Sequence, residues 1–486
     1  MENTTYHEID FLLPAQRFNV NFSYITEKGL PFVREFVLRL VHLAPLTKAQ
    51  VVAYFGFSKK EADEVISDLV ERDELTLSED GRLALTEKSS GYFTEIGEVP
   101  RLSQLKDSGA CLSFDLATFT CLGKEIAPDK WRAGVQLKVD PENFSKSEEL
   151  VGKQFQRQFG ELLHKGLLSK SIVQDEKETP NIYTVNSVSK IRQLPFRISV
   201  KFQMDDEGAS VERDDFEMLS SSDYVHERVA VELDRFSRPA NIIDIAKSMM
   251  EIGDEDTVRL FDAKRNSISL RFLAELNQIE ENTNFTRTTF LGPIYSKKNW
   301  ELLQKYLAPV LAARIESKSD VEQELFVWIA PSDPYWSKSN RLLGSLSDFF
   351  NKSSTKEKRL YFPKFYLPVA GSDDFRSARQ WKQEFESYVG NANGLLEGFL
   401  NGNVEVLHFE GEVAVVVYHV SLPDTYPVTL PVGFVTRDKD VVAKLGKLVW
   451  TYINGSAGLD RPNDCGAIDE MVRNRYLGPD ITRSLR

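Results

Sequence analysis

Between Pro31 and Thr86 the apolar residues recur first at helical and then at strand spacing, and this change of period restricts the fold more than any other stretch of the chain. Phe32, Phe36, Leu40 and Leu43 predict the inward face of a first helix, with Pro31 in its first turn and Pro45 ending it. Thr47 predicts the cap of a second helix, Lys48–Phe55, turned inward on Val51, Val52 and Phe55. Gly56-Phe57-Ser58 supplies a tight turn. Ser58 then caps a third helix carrying Ala62, Val65, Ile66, Leu69 and Val70 at i, i+3, i+4, i+7 and i+8. Leu75–Leu77 and Leu83–Thr86 alternate on either side of Glu79-Asp80-Gly81, the signature of a hairpin.

The stretch TKAQVVAYFGFSKKEADEVISDLVERDELTLSEDGRLALT resembles the winged helix-turn-helix family, in which that hairpin is the wing. The resemblance implies a fold more firmly than a function, because such modules also serve as protein-docking or spacer units. A second, weaker copy is read between about Leu112 and Gln203, as a module over 100–205. Its core is SEELVGKQFQRQFGELLHKGLL, with Phe155, Phe159, Leu162, Leu163 and Leu167 on one face. A wing-like stretch, Gln174–Asn181, separates Ser171-Ile172-Val173 from Ile182-Tyr183-Thr184-Val185, and Phe196–Met204 alternates as a strand.

Asp205–Asp223 is acidic and serine-rich and predicts a mobile connection, followed by helices at Asn241–Ile252 and Val258–Ile279. From Thr286 strands and helices alternate. Strands are expected at Arg287–Ile294, Leu325–Ala330, Tyr361–Val369, Val404–Phe409, Val413–Val420 and Val428–Val435. Helices are expected at Lys298–Ile315, Lys338–Phe350, Arg376–Leu400 and Val441–Ile453. Fully apolar strands between helices predict an α/β layered domain. The fold class is therefore α/β multidomain. A segment 1–30 precedes a winged-helix module at 31–95, with a second in tandem at 100–205. An acidic and helical connection at 206–285 leads to an α/β domain at 286–455 and a tail at 456–486.

LFVWIAPSDPYWSKSNRLLGSL, LLEGFLNGNVEVLHF and LPVGFVTRDKDVVAKLGKLVWTYI resemble the strand–loop–helix steps of the phospholipase D-like fold across Arg287–Ile453. That family's catalysis uses H-x-K-x-x-x-x-D, with histidine as nucleophile and lysine on the phosphate. Here Phe409-Glu410 follows His408 and Val420-Ser421 follows His419, so neither supplies the lysine. The resemblance implies a catalytically degraded domain that senses a ligand.

A chain of 486 residues with 42% hydrophobic and 27% charged residues is long enough for several soluble cores. No apolar run reaches a membrane span, and the acidic opening MENTTYHEIDFLLPAQRF lacks the basic start of a signal peptide. Cys111, Cys121 and Cys465 have no paired spacing, which suits a reducing cytoplasm. GxxxxGK[ST], GxGxxG after a strand, HExxH and His/Cys ligand spacings are absent from the sequence, so no cofactor or metal is expected. Asn454-Gly455-Ser456-Ala457-Gly458 lacks the first glycine of a nucleophile elbow and reads as a loop. Asp175-Glu176-Lys177 matches a nuclease D-x-K fragment but lies in a polar stretch, where a solvated charge run is the plainer reading.

A net charge of −13 leaves only a local basic patch for double-stranded DNA. In the first module the third helix sets Lys59, Lys60 and Arg72 against seven acidic residues, and only Lys59 and Lys60 stand where a phosphate or base edge is met. The second helix offers Lys153, Gln154, Arg157, Gln158 and Lys165, residue types that read base edges and hold phosphates, or simply the wet face of an amphipathic helix. Tyr335 and Trp336 suit a pocket mouth or partner surface, and equally a core. His408 and His419 suit a phosphodiester site, or hydrogen-bonded strand positions. The expectation is a non-enzymatic, cytoplasmic DNA-associated regulator or accessory subunit of a DNA-processing or defence system, with protein partners and no membrane. The alternatives are a protein-interaction scaffold without DNA contact, and a divergent phosphodiesterase or nuclease.

Overall fold

The computed structural model describes residues 3–96, 98–127, 131–173, 180–219, 221–262, 267–274, 286–317, 324–386, 388–455 and 462–474. Helices and strands mix in two compact units. One comprises Met1–Leu13, Ala127–Val139 and Pro195–Arg486; the other comprises Pro14–Ile126 and Asp140–Leu194.

The larger unit is built on an eight-stranded sheet. Its spatial order is Arg287–Leu291, Leu430–Thr436, Val413–Val420, Val404–Phe409, Leu325–Ile329, Phe362–Val369, Ala392–Leu396, Asp464–Ala467. Leu325–Ile329, Phe362–Val369 and Ala392–Leu396 run parallel, and every other neighbouring pair is antiparallel. The chain steps outward through these three parallel strands and then returns to place Val404–Phe409 on the far side of Leu325–Ile329. The strand order therefore reverses at that edge, the place where open α/β sheets hold ligands beyond the strands' carboxyl ends. Every residue of Val404–Phe409, Val413–Val420 and Leu430–Thr436 is buried, as expected for strands covered on both faces. Helices Lys297–Glu316 and Arg341–Asn351 bury Trp300, Leu303, Leu346 and Phe349 in the same core as Trp328, Leu407 and Val415.

Three expectations for this unit need correction. The span Arg376–Leu400 is not one helix: helix Phe375–Glu384 ends at Phe385, and Ala392–Leu396 joins the sheet as a strand, its apolar run being short enough for either state. Val258–Ile279 is likewise broken, with Phe261–Asp262 pairing to Ser267–Ile268; residues 275–279 lie outside those described. The acidic stretch after Met204 is docked, with Phe216 and Leu219 buried and the Tyr426 hydroxyl donating to the Gly208 carbonyl at 2.6 Å. Gly208 has φ +81°, and a Cβ there would collide with the Ile268 carbonyl oxygen.

In the smaller unit, Ala15–Gly29 pairs antiparallel with Arg101–Asp115. Helix Ser147–His164 lays Phe155 and Phe159 on Phe22, ring centroids 4.9 and 5.6 Å away. The 100–205 stretch does not repeat the first module's order. Before that helix it forms strands, Lys170–Ile172 is a short 3-10 turn, and Asn181–Met204 is a single long strand instead of the second arm of a hairpin. The apolar face of Ser147–His164 is helical as expected, but it packs on a sheet. Gln174–Thr179, including Asp175-Glu176-Lys177, lies outside the described residues.

Residues 32–85 form helices Phe32–Leu43, Lys48–Phe55 and Lys59–Glu71 and a three-stranded sheet ordered Leu46–Thr47, Arg82–Leu85, Leu75–Leu77. Thr47 and Ser58 each close a capping box, with Gln50 and Glu61, and Gly56 ends the second helix at φ 69°. The first helix is rotated from its expected face. Val37, Leu38 and Val41 are buried, while Phe32 is 72% exposed and Phe36 and Leu43 are also exposed. The cause is Arg34. Its guanidinium grips buried Glu74 through two hydrogen bonds, and Arg34, Val37, Leu38 and Val41 fall at i, i+3, i+4 and i+7. An arginine heading the inward stripe hid that stripe.

Candidate functional site

Beyond the carboxyl end of Leu325–Ile329, the loop Ala330–Asn340 enters a buried polar centre. Asp333 Oδ2 lies 2.7 Å from His419 Nδ1 and accepts from the Thr429 hydroxyl at 2.7 Å, while Oδ1 accepts the Tyr335 amide at 3.1 Å. His419 Nε2 lies 3.4 Å from Glu405 Oε2. Glu405 Oε1 accepts both the Trp328 and Trp336 indole N–H groups, at 2.8 and 2.9 Å. Burial alone would lower the His419 pKa, but its hydrogen bonds to Asp333 and Glu405 prevail and push it up to about 9. Burial would raise Asp333, and the hydrogen bond and charge of His419 hold it below the usual carboxylate range. The imidazolium therefore sits between two carboxylates, with both ring nitrogens engaged.

His7 adjoins this centre. Burial pushes its imidazole down to about 4, against the pull of Asp333. His7 Nε2, which is buried, has no hydrogen-bond partner among the described residues. Asp10 ties the loop from below. Its amide donates to the Lys338 carbonyl at 2.6 Å, and its carboxylate accepts from the Asn340 amide at 2.6 Å, Ser199 at 2.5 Å and Arg197 at 2.8 Å. Immediately before these anchors Ser337 takes a left-handed conformation, φ 70°. A non-glycine residue held there is strained, a feature that gathers at ligand sites.

A cleft of about 350 Å³ opens over this loop. Its walls are Pro331–Asp333 after the first parallel strand, Pro368 on the second and Glu397 after the third, with Trp381 and Glu384 from helix Phe375–Glu384 and Glu232 and Arg235 from helix Ser222–Phe236. Lys338 is buried and its ammonium meets Glu384 Oε1 at 2.5 Å; Arg235 meets Glu232 at 2.6 Å. The cleft thus has an aromatic side and paired charges. His419 is sealed below it and cannot touch a molecule in the cleft, so it acts as a positioning residue for the Asp333 loop.

The residues singled out in the sequence scatter. Trp336 and Tyr335 are buried rather than surface anchors: Trp336 lines the cleft, and the Tyr335 hydroxyl donates to the Leu233 carbonyl at 3.1 Å. His408 and His419 do not meet. On Val404–Phe409, Glu405 shares a face with Leu407, whereas His408 points to the other face and contacts the Val442 carbonyl at 3.0 Å through Nε2. Burial lowers its pKa. Helix Lys439–Asn454 approaches so closely that a Cβ on Gly446 would lie 2.8 Å from the His408 ring.

The basic residues are largely engaged. Lys153 pairs with Glu149 at 2.6 Å and Lys165 with Glu161 at 2.5 Å. Gln158 bridges the Phe119 carbonyl and the Cys121 amide, and Gln154 is half-buried. Lys59, Lys60 and Arg157 are exposed. Beside Lys59 and Lys60, the Glu61 carboxylate accepts the Ser58 amide at 2.8 Å and already occupies the helix start where a phosphate would dock.

Sequence reasoning missed Glu405, Lys338, Glu384 and Glu232. A glutamate inside the apolar run VEVLHF was the visible signal, since such a strand buries a carboxylate only with partners. No protein-family model matches the chain, and no curated protein matches it in sequence.

Proposed function

We propose that the protein is a non-enzymatic regulator or accessory subunit of a DNA-processing or defence system, in which a winged helix-turn-helix module meets a partner and the α/β unit binds a small ligand. The observation that carries this reading is the cleft over the Asp333 loop, placed at the strand-order reversal and floored by a sealed imidazolium–carboxylate centre. The winged-helix reading of 31–86 is supported by the order helix, strand, helix, helix, hairpin and by its two capping boxes. A degraded phospholipase D-like reading of the α/β unit is supported by the partners of the two histidines: His408 contacts a carbonyl and His419 two carboxylates, and neither is hydrogen-bonded to a lysine among the described residues.

DNA contact in this reading rests on Lys59, Lys60 and Arg157, because the neighbouring cations are closed on carboxylates. A second reading, a protein-docking module without DNA contact, is favoured by the exposed Phe32 and Phe36 rings, which lie side by side with centroids 4.6 Å apart. A gel-shift salt titration on duplex DNA separates them. Binding that weakens steeply with salt, and is lost in Lys59→Glu or Arg157→Glu, supports the first. No binding at low salt leaves the docking reading. Hydrolysis of DNA or of a phosphodiester with divalent metals, abolished in both His408→Ala and His419→Ala, would overturn the non-enzymatic assignment.

A further inference from the structure

Resting on the reading of the cleft as a ligand site, we propose that its ligand is a neutral polyhydroxylated molecule, a mono- or disaccharide. Trp381 provides the platform. It is half-buried, its indole N–H donates to the Pro368 carbonyl at 2.8 Å, and Phe385 and Trp336 pack 5.7 and 6.3 Å from its ring. A ring fixed in this way offers a flat apolar surface to the C–H face of a sugar at little entropic cost.

Charge excludes the other ligand classes. Lys338 is closed on Glu384, Arg235 on Glu232, and Asp333 is neutralised by His419, while the exposed Lys138 and Glu397 bring one charge of each sign to the rim. Away from Lys138 at the rim, a phosphate or carboxylate would have to open one of these pairs while lying beside the released carboxylate. A cationic ligand faces the mirror problem. Breaking the buried Lys338–Glu384 pair is costly, whereas a hydroxyl donates to the carboxylate and accepts from the ammonium with the pair intact. Gln380 reinforces this, donating to Glu384 at 3.0 Å and leaving its own carbonyl oxygen as an acceptor. The cleft volume of about 350 Å³ is at the small end of ligand pockets and suits one or two sugar rings.

Tryptophan fluorescence and thermal-shift titrations of the full chain test this, with glucose, maltose and N-acetylglucosamine as neutral probes and glucose 6-phosphate, glucosamine and AMP as charged ones. The expected result is saturable binding of a neutral probe with Kd on the order of 1 mM or tighter, and weaker binding of every charged probe. Trp381→Ala should weaken that binding by about tenfold or more and Trp381→Phe by less. Glu384→Gln, which frees Lys338, should turn preference toward glucose 6-phosphate. Tighter binding of a charged probe by the wild type, lost in Trp381→Ala, overturns the ligand class and leaves the cleft as a ligand site. If none of the probes binds, the ligand-site reading falls as well.

Discussion

Asp333 Oδ2 and His419 Nδ1 lie 2.7 Å apart with both side chains buried, one contributed by a loop and the other by a strand 86 residues later. Removing His419 leaves Asp333 and Glu405 buried without their cation, and removing Asp333 leaves the His419 imidazolium with Glu405 alone. Asp333→Asn and His419→Gln should each lower unfolding free energy by about 3–5 kcal/mol. Urea denaturation measures this, and a loss below about 1 kcal/mol in both would show that the contact does not hold the loop.

Stability should peak near neutral pH, with one flank from each buried histidine. The folded pKa of His419, about 9, is above the ordinary 6.5, so the native state binds the extra proton. Its contribution is full below 6.5 and lost as pH rises through 9. The His7 pKa, about 4, is below 6.5, so the unfolded state binds the extra proton, and stability falls as pH drops from 6.5 to 4. Each flank is worth on the order of 3 kcal/mol. Thermal melts across this range check both, and His7→Phe should flatten the acid flank alone.

Gly446→Ala should cost about 1–3 kcal/mol, because its methyl group meets the His408 ring at 2.8 Å with helix and strand both fixed. His408→Ala makes room for that methyl. In a double-mutant cycle the added cost of Gly446→Ala should largely vanish in the His408→Ala background; strictly additive losses would contradict the close approach.

The rotated first helix makes a sharp contrast. Leu38→Ala should cost about 2–5 kcal/mol, whereas Phe32→Ser should stay within about 0.5 kcal/mol of wild type. Glu74→Ala, which strands Arg34, should resemble Leu38→Ala in direction. Chemical denaturation of the three variants decides it, and a large loss at Phe32 would restore the face that apolar spacing alone suggests.

The mixed α/β class was legible because the long apolar strands around His408 and His419 leave few alternatives. Caps at Thr47 and Ser58 were legible because a capping box is written in four consecutive residues. The inward face of the first helix was hidden because the residue that fixes its rotation is an arginine paired with a glutamate 40 positions away. Ala392–Leu396 was read as helix because a strand in mid-sheet takes its identity from its neighbours. The site was half legible. His419 and Trp336 stood out by type, but Glu405, Lys338 and Glu384 are common residues whose roles arise only when separate strands and helices bring them together.

The hydrogen bonds joining Asp10 to Lys338 and Asn340 bear on how the chain matures during synthesis. Residues 4–13 are made before the loop they anchor, and the Asn340 amide that satisfies Asp10 is made 330 positions later. Until then Asp10 and His7 must remain hydrated, and a nascent chain stopped short of Asn340 lacks the means to bury them. Closing so long a loop is slow, so the cleft over the Asp333 loop is completed only after its last wall residue, Glu397, has been made.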